Sequence, residues 1–258
     1  MIPAERQRKI IALLTQKEVI SIAELTETLA VSHMTVRRDI QSLESQGRVV
    51  SVSGGVQLSR LITTEPSHKT KEGLEHHKKV SIGKAAAALI SPAARIYLDA
   101  GTTTLEIARH LCQRPDVMVV TNDFAIAALL TEFAECELYH TGGLVTRDNQ
   151  SCVGTLTART LEQFNLDICF LSTASWDSRG VSTPSESKVP VKQAAMRAAQ
   201  KSILVSDSSK YGQVGTFKVC ALSELDAIVS DSDLSLSARS VVEQQGTKLH
   251  VVVTESAD

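Results

Sequence analysis

Three features of this 258-residue sequence predict an α/β chain in two parts. Residues 1–58 carry three short apolar runs at helical spacing, followed by a glycine-tipped alternation. From residue 80 onward, short continuous apolar runs alternate with helical ones, the pattern of a mainly parallel sheet covered on both faces. Between them, residues 59–79 lose the periodicity altogether, which predicts domains at 1–58 and 80–258 joined by a linker. At 43% hydrophobic residues the chain is long enough to bury two cores.

The first helix opens at Pro3 and follows Ile10, Leu13 and Leu14 to about Gln16. Ile22, Leu25 and Leu29 mark a short second helix. "AVS" forms a tight corner, and Ser32 is placed to cap a third helix that begins at His33 or Met34 and runs to about Ser45. Gly47 supplies the left-handed residue that closes it. "RVVSVSGGVQL" reads as a two-stranded hairpin turning at Gly54 and Gly55. The next stretch, "SRLITTEPSHKTKEGLEHHKK", is polar, contains Pro66 and Gly73, and reads as a linker. Its His68, His76 and His77 lack partners at metal-ligand spacing and read as solvated.

In the larger part, "ARIYLDA" is followed by "LEIARHL", "DVMVVT" by "FAIAALLTEF", and "CELYHT" by a glycine pair. "LDICFLS" leads through a long loop to "VKQAAMRAAQ". "SILVSD", "LDAIVSD" and "KLHVVV" complete the strands. Ligands of such sheets sit outside the carboxyl ends of the strands.

Composition excludes several classes. No apolar run approaches the roughly 20 residues that span a bilayer, and "MIPAERQRKI" is too evenly charged for a secretory signal, so a cytoplasmic protein is expected. Five scattered cysteines without a C-x-x-C pair suggest reduced thiols, with no disulfide framework or metal site. No cofactor is implied. A net charge of -2 makes no global case for nucleic acid, although residues 1–60 hold eight basic against six acidic side chains.

The local case lies in "VSHMTVRRDIQSLESQGRVV". With Val36, Ile40 and Leu43 inward, helical geometry turns Met34, Thr35, Arg37, Arg38 and Gln41 outward, concentrated in the first two turns. That end of a recognition helix enters the major groove: arginine bonds guanine or phosphate, threonine meets a thymine methyl, and Ser32 beside free amides bonds a phosphate. The competing reading makes the arginines surface charges, with Asp39 in a local ion pair. The order helix, corner, capped helix and glycine-tipped ribbon decides for a winged helix-turn-helix that reads double-stranded DNA. Its candidate contacts are Ser32, His33, Met34, Thr35, Arg37, Arg38 and Gln41, with Ser53 and Gly54 on the wing.

In "YLDAGTTTLEIA" a strand ends at Asp99 and a helix starts near Leu105. Gly101 permits close backbone approach, and Thr102, Thr103 and Thr104 set hydroxyls beside free helix amides, which makes a phosphate cradle or, alternatively, a plain helix cap. "VVTNDF" places Thr121, Asn122 and Asp123 at a second strand end, and "YHTGG" places Gly142 and Gly143 at a third. "STPSESKVPVKQAAM" brings Glu186, Lys188 and Lys192, and "VSDSSKYG" brings Asp207 and Lys210.

The segments "ERQRKIIALL", "ISIAELTETLAVSHMTVRRDI" and "SGGV" resemble the N-terminal domain of the DeoR family of bacterial sugar-responsive transcription regulators. "LDAGTTT", "VVTND", "TGG" and "LVSDSSKYG" extend the resemblance to that family's effector domain, a sheet domain similar to ribose-5-phosphate isomerase that binds phosphorylated sugars. The resemblance implies an effector pocket lined by Asp99, Gly101, Thr102, Thr103, Thr104, Thr121, Asn122, Gly143, Glu186, Lys192, Asp207 and Lys210. It also implies a homo-oligomer, dimer or tetramer, placing two heads on paired half-sites. Two departures stand out: the wing reads "SVSGG" where a basic residue and a histidine are usual, and Ser172 and Ser175 stand where glycine is usual. The enzyme alternative needs carboxylates to move a proton. The isomerase pattern puts aspartates where Leu171 and Ala174 fall, leaving Asp177, with Glu186 as a remaining base. The expected role is therefore a regulator, most simply a repressor of a carbohydrate operon relieved by a phosphorylated sugar or sugar acid; activation fits the residues equally well. A loop at 175–190, carrying the sole tryptophan, Trp176, is expected to close over the effector.

Overall fold

The computed structural model describes residues 1–52 and 54–254. In the head, α1 (Pro3–Gln16), α2 (Ile22–Leu29) and α3 (His33–Ser45) enclose Ile10, Leu14, Leu25, Val36, Ile40 and Leu43. Ser21 caps α2 by accepting the Glu24 amide at 3.1 Å, and Ser32 caps α3 by accepting that of Thr35 at 3.3 Å. The predicted hairpin gains a third strand: β1 (Val19–Ile20), β2 (Val49–Val52) and β3 (Gly55–Leu58) pair antiparallel in the order β1-β3-β2. Gly55 permits this, because a Cβ there would stand 2.3 Å from the Ile20 carbonyl oxygen.

The predicted linker is folded. β4 (Arg60–Ile62) pairs in parallel with Gln213–Gly215, and α4 (His68–Gly73) and α5 (His76–Ala87) follow. Its polarity misled because the segment is held by a backbone ladder and by ion pairs to distant residues. His68 is buried while His76 and His77 are exposed, and no group of three metal-ligating side chains stands together among the described residues.

The sensor sheet has seven strands, all parallel. They are β5 (Arg95–Leu98), β6 (Met118–Thr121), β7 (Glu137–His140), and, beyond a hairpin of β8 (Leu144–Thr146) and β9 (Ser151–Val153), β10 (Leu166–Leu171). A second hairpin, β11 (Ser175–Asp177) and β12 (Gly180–Thr183), precedes β13 (Ala199–Val205), β14 (Gln213–Gly215), β15 (Phe217–Cys220), β16 (Ala227–Asp231) and β17 (Lys248–Val252). The sheet order is β17-β16-β13-β10-β5-β6-β7. Strands extend outward from β5 in one direction and from β10 in the other, so the order reverses between those two, where open α/β sheets form a crevice.

Side chains alternate across the sheet. Ile96, Leu98, Ile168 and Phe170 face α5, α6 (Thr102–Leu111) and α7 (Phe124–Phe133), while Tyr97, Cys169, Leu171 and Leu204 face α8 (Thr155–Leu161), α9 (Val189–Ala198) and α10 (Leu236–Gln244). Three of the five free cysteines are buried and two half-buried. No described helix is long and apolar enough to cross a membrane.

The expected closing loop at 175–190 is instead largely the β11–β12 hairpin. Trp176 is fully buried, donates its Nε1–H to Ser206 Oγ at 3.1 Å and packs edge-on against Tyr211. Its fluorescence is therefore expected to resist iodide quenching and to move to the red only when the chain unfolds; ready quenching in the native protein would contradict this placement.

Candidate functional site

The head exposes one face of α3. Asp39 turns inward and accepts both Arg6 Nε at 2.6 Å and Arg6 Nη2 at 3.2 Å, tying α3 to α1. The local ion pair therefore does not involve Arg37 or Arg38, which are exposed and have no acidic partner among the described residues. Ser32, His33, Met34 and Gln41 are exposed beside them, and Thr35 is half-buried with its hydroxyl against Ser32 Oγ at 2.9 Å. Arg37, Gln41 and Gly54 line one groove, which the 232–237 segment of the sensor domain also borders. Gly54 takes the left-handed conformation, φ +91°, at the wing tip, and Ser53 lies outside the described residues.

At the carboxyl edge of the sheet, β5 and β10 end side by side at Asp99 and Ser172. Asp99 Oδ2 accepts the Ser172 amide at 3.1 Å and the Lys192 ammonium from α9, and Lys192 also donates to the Ser172 carbonyl at 2.6 Å. Above this pair lies a cavity of about 300 Å³. Gly101, Thr102 and Thr103 form one wall, and Lys71, Lys79, Lys188, Lys192 and Lys210 line the rest together with Thr173, Thr183 and Gln213. α6 starts there without a side-chain cap, leaving its first amides to an external acceptor. Gly101 must be glycine: a Cβ would stand 2.1 Å from Ser172 Oγ. Its amide donates to Asp123 Oδ2 at 3.1 Å, and Asp123 Oδ1 caps α7 by accepting the Ile126 amide; burial raises the Asp123 carboxyl to about 6.

Of the sequence-predicted effector residues, Gly101, Thr102, Thr103, Lys192, Asp207 and Lys210 line this cavity. Asp99 lies beneath it on Lys192. Thr104 turns its hydroxyl to the Asp99 carbonyl at 2.6 Å, and Thr121 bonds the Leu98 carbonyl at 2.8 Å, so both serve the backbone. Asn122 binds Tyr97 and the Cys152 carbonyl behind the cavity. Gly143 belongs to another corner, packed on Thr157. Glu186 is exposed and outside the pocket, because the short turn before α9 points it to solvent. Asp177 pairs with Arg179 at 2.6 Å, and the two carboxylates left to an enzyme are thus both directed elsewhere.

Sequence reasoning missed Glu65, Lys71 and Lys79, which come from the supposed linker. Glu65 accepts from Lys188 at 2.7 Å and Lys71 at 3.3 Å. Burial alone would raise its carboxyl, but Lys188 and Lys71 more than offset that and hold it at about 2. Burial lowers Lys79 to about 8, with Lys210 and Lys71 adding to the effect and Asp207 opposing it. Asp207 is itself buried, and its Oδ2 lacks a hydrogen-bond partner among the described residues, although Lys210 stands 3.9 Å away.

A winged head that exposes two arginines, joined to a sheet domain with a lysine-lined pocket, has the build of a ligand-sensing helix-turn-helix regulator. The DeoR-like helix-turn-helix domain matches residues 6–60, and the DeoR C terminal sensor domain matches residues 74–232. The chain belongs to the DeoR family of transcriptional regulators. An uncharacterized HTH-type transcriptional regulator of Haemophilus influenzae is 49% identical over 98% of both chains. YgbI of Escherichia coli, named likewise, is 49% identical over 99% of this chain and 100% of its own. A putative aga operon transcriptional repressor of Escherichia coli is 33% identical over 96% of this chain and 94% of its own. These relatives are named as regulators, and the chain is a regulator, not an enzyme. Among solved structures, ribose 5-phosphate isomerase A of Methanocaldococcus jannaschii is 18% identical over 52% of this chain and 53% of that one, with a TM-score of 0.38.

Two outcomes follow from the pocket. Replacing Lys192 by methionine strands Asp99 without its buried partner and should cost roughly 3–5 kcal/mol in denaturant unfolding. Sulfate, which does not titrate between pH 7 and 10, should bind about tenfold more weakly at pH 9 than at pH 7, because Lys79 has lost its proton in the free chain by then and binding must restore it. Calorimetry of the Lys79→Arg variant should show that decline flattened.

Proposed function

We propose that this chain represses a carbohydrate-use operon in the cytoplasm and is relieved by a phosphorylated sugar or sugar acid. The observation that carries the DNA half is the inward Asp39, which leaves Arg37 and Arg38 free on the first turns of α3. In this reading α3 enters the major groove, with Ser32, His33, Met34, Thr35, Arg37, Arg38 and Gln41 as contacts, and Gly54 and Ser53 bring the wing to the backbone. A homo-oligomer places two such heads on paired half-sites.

The effector half is supported by the uncapped α6 terminus opening on a cavity lined by five lysines, a setting suited to a doubly charged phosphate. Gly101, Thr102, Thr103 and Lys192 hold the phosphate, and Asp207 Oδ2, an acceptor without a donor, takes a sugar hydroxyl. In this reading the head keeps its limits of 1–58, and the segment 59–79 is counted with the sensor rather than as a linker before residue 80. Repression is favoured by the relatives named as repressors, of the aga operon in Escherichia coli and AccR in Agrobacterium fabrum.

Genomic DNA retained by the purified protein at physiological salt should be enriched in a repeated half-site. Alanine at Arg37 or Arg38 should weaken that binding by about 1–3 kcal/mol each, with effector affinity unchanged. Retained affinity in the double variant would refute the helix assignment. Thr103→Glu should leave DNA binding intact and abolish the response to sugar phosphates, read by fluorescence anisotropy of the operator; a normal response would place the effector elsewhere.

A further inference from the structure

Residues 60–66 form a strap that continues directly from the wing strand β3 into the pocket wall. The Ser59 amide donates to the Arg48 carbonyl at 3.1 Å and the Arg60 amide to the Gly212 carbonyl at 3.1 Å, so the strap is tied to both domains. Its ladder is the three-residue pairing of β4 with β14. Glu65 then dips inward, its side chain 8% exposed, onto Lys188 and Lys71, while Thr63, Thr64 and Pro66 around it remain exposed.

Three carboxylates serve the pocket's ammonium groups, and they differ in how they are held. Asp99 and Asp207 follow core strands β5 and β13 and are 2% and 1% exposed. Glu65 sits on a surface segment with a short ladder. An incoming anion repels all three, and the one with the weakest attachment yields.

We propose that Glu65 is an internal counter-anion that latches the strap: an anionic effector takes over Lys71 and Lys188, expels the Glu65 carboxylate and unpairs β4 from β14. The inference rests on the reading of the pocket as an anion site. Because Lys188 and Lys71 keep Glu65 ionised down to about pH 2, the latch is closed at all ordinary pH when the pocket is free. Once the strap lifts, the head keeps its remaining contacts with the sensor: Ser178 Oγ donates to the Glu44 carbonyl at 2.8 Å, and Val50 lies against Gly212. The strap end of wing strand β3, however, loses its tether to the sensor. A charge exchanged in the pocket is thereby converted into freedom at the head, which weakens simultaneous seating of two heads on fixed half-sites.

The test uses the full-length chain, inorganic phosphate as the probe and amide hydrogen exchange as the readout. In the native protein, saturating phosphate should speed exchange at the β4 amides, residues 60–62, by tenfold or more while amides of β5 and β10 stay unchanged. Glu65→Gln should bind phosphate about tenfold more tightly, and its strap should exchange fast before phosphate is added and no faster afterwards. Phosphate binding that leaves strap exchange unchanged or slower, or equal or weaker phosphate affinity in the variant, overturns the latch while the anion site stands. If neither protein binds phosphate at the pocket, both the latch and the anion-site reading fall. The exchange experiment on the native chain decides the matter even where the variant folds poorly.

Discussion

The sensor domain depends on the buried ion pair between Asp99 and Lys192. It lies where the strand order reverses between β5 and β10, with side-chain exposures of 7% for the lysine and 3% for the aspartate. Removing two charges from water at such a place is costly, and it is sustained only if the remaining polar atoms are also satisfied. Here they are: Asp99 takes the Ser172 amide, Lys192 takes the Ser172 carbonyl, and the Tyr97 hydroxyl approaches Asp99 at 3.4 Å. The pair thus fastens the ends of two neighbouring strands and the start of α9 together. The turn at Gly101 and the open end of α6 are placed by that knot, and with them the floor of the pocket.

From this floor to α3 the route is short. β14 contributes Gln213 to the pocket and pairs with the strap, and Gly212 just before it receives Val50 of the wing. The tip of the β11–β12 hairpin reaches the C-terminal end of α3 through Ser178, while Thr183 at its other end borders the pocket. Two elements of the sensor therefore touch both the ligand site and the head. Coupling in regulators of this kind amounts to a few kcal/mol, on the order of 1–3. That is commensurate with exchanging one partly exposed ion pair and a three-residue ladder, and it does not demand rearrangement of either core.

The head was almost wholly legible in the sequence because its determinants are local. The cap at Ser32, the left-handed Gly47 and the spacing of Val36, Ile40 and Leu43 lie within a few residues of what they govern. The parallel sheet was legible for the same reason, through its continuous apolar runs. The strap was not, since its partners lie at Lys188 and Gln213–Gly215, and a polar segment held by a remote ion pair and a remote ladder has no periodicity of its own. Hydroxyl direction was equally hidden. Thr102, Thr103 and Thr104 look interchangeable in sequence, yet the third spends its proton on the backbone. Glu186 and Glu65 exchanged roles by the same logic: which acid enters the pocket is set by where a turn aims it.

The two serines at 172 and 175, which stand where the family resemblance leads one to expect glycine, show how the framework tolerates a changed pocket. Ser172 holds Asp99 and Lys192 through its backbone amide and carbonyl, so the knot asks nothing of its side chain. The side chain fits because Gly101 opposite has none; the two positions share one space, and bulk at either requires its absence at the other. Ser175 turns away into the hairpin, where its hydroxyl bonds the Ser182 carbonyl at 2.9 Å. Only the first substitution therefore reaches the cavity, where it adds a hydroxyl beside the α6 terminus. A site whose charges are fixed by the strand ends can thus keep its lysine-rich character while its neutral lining changes the shape and hydrogen bonds it offers.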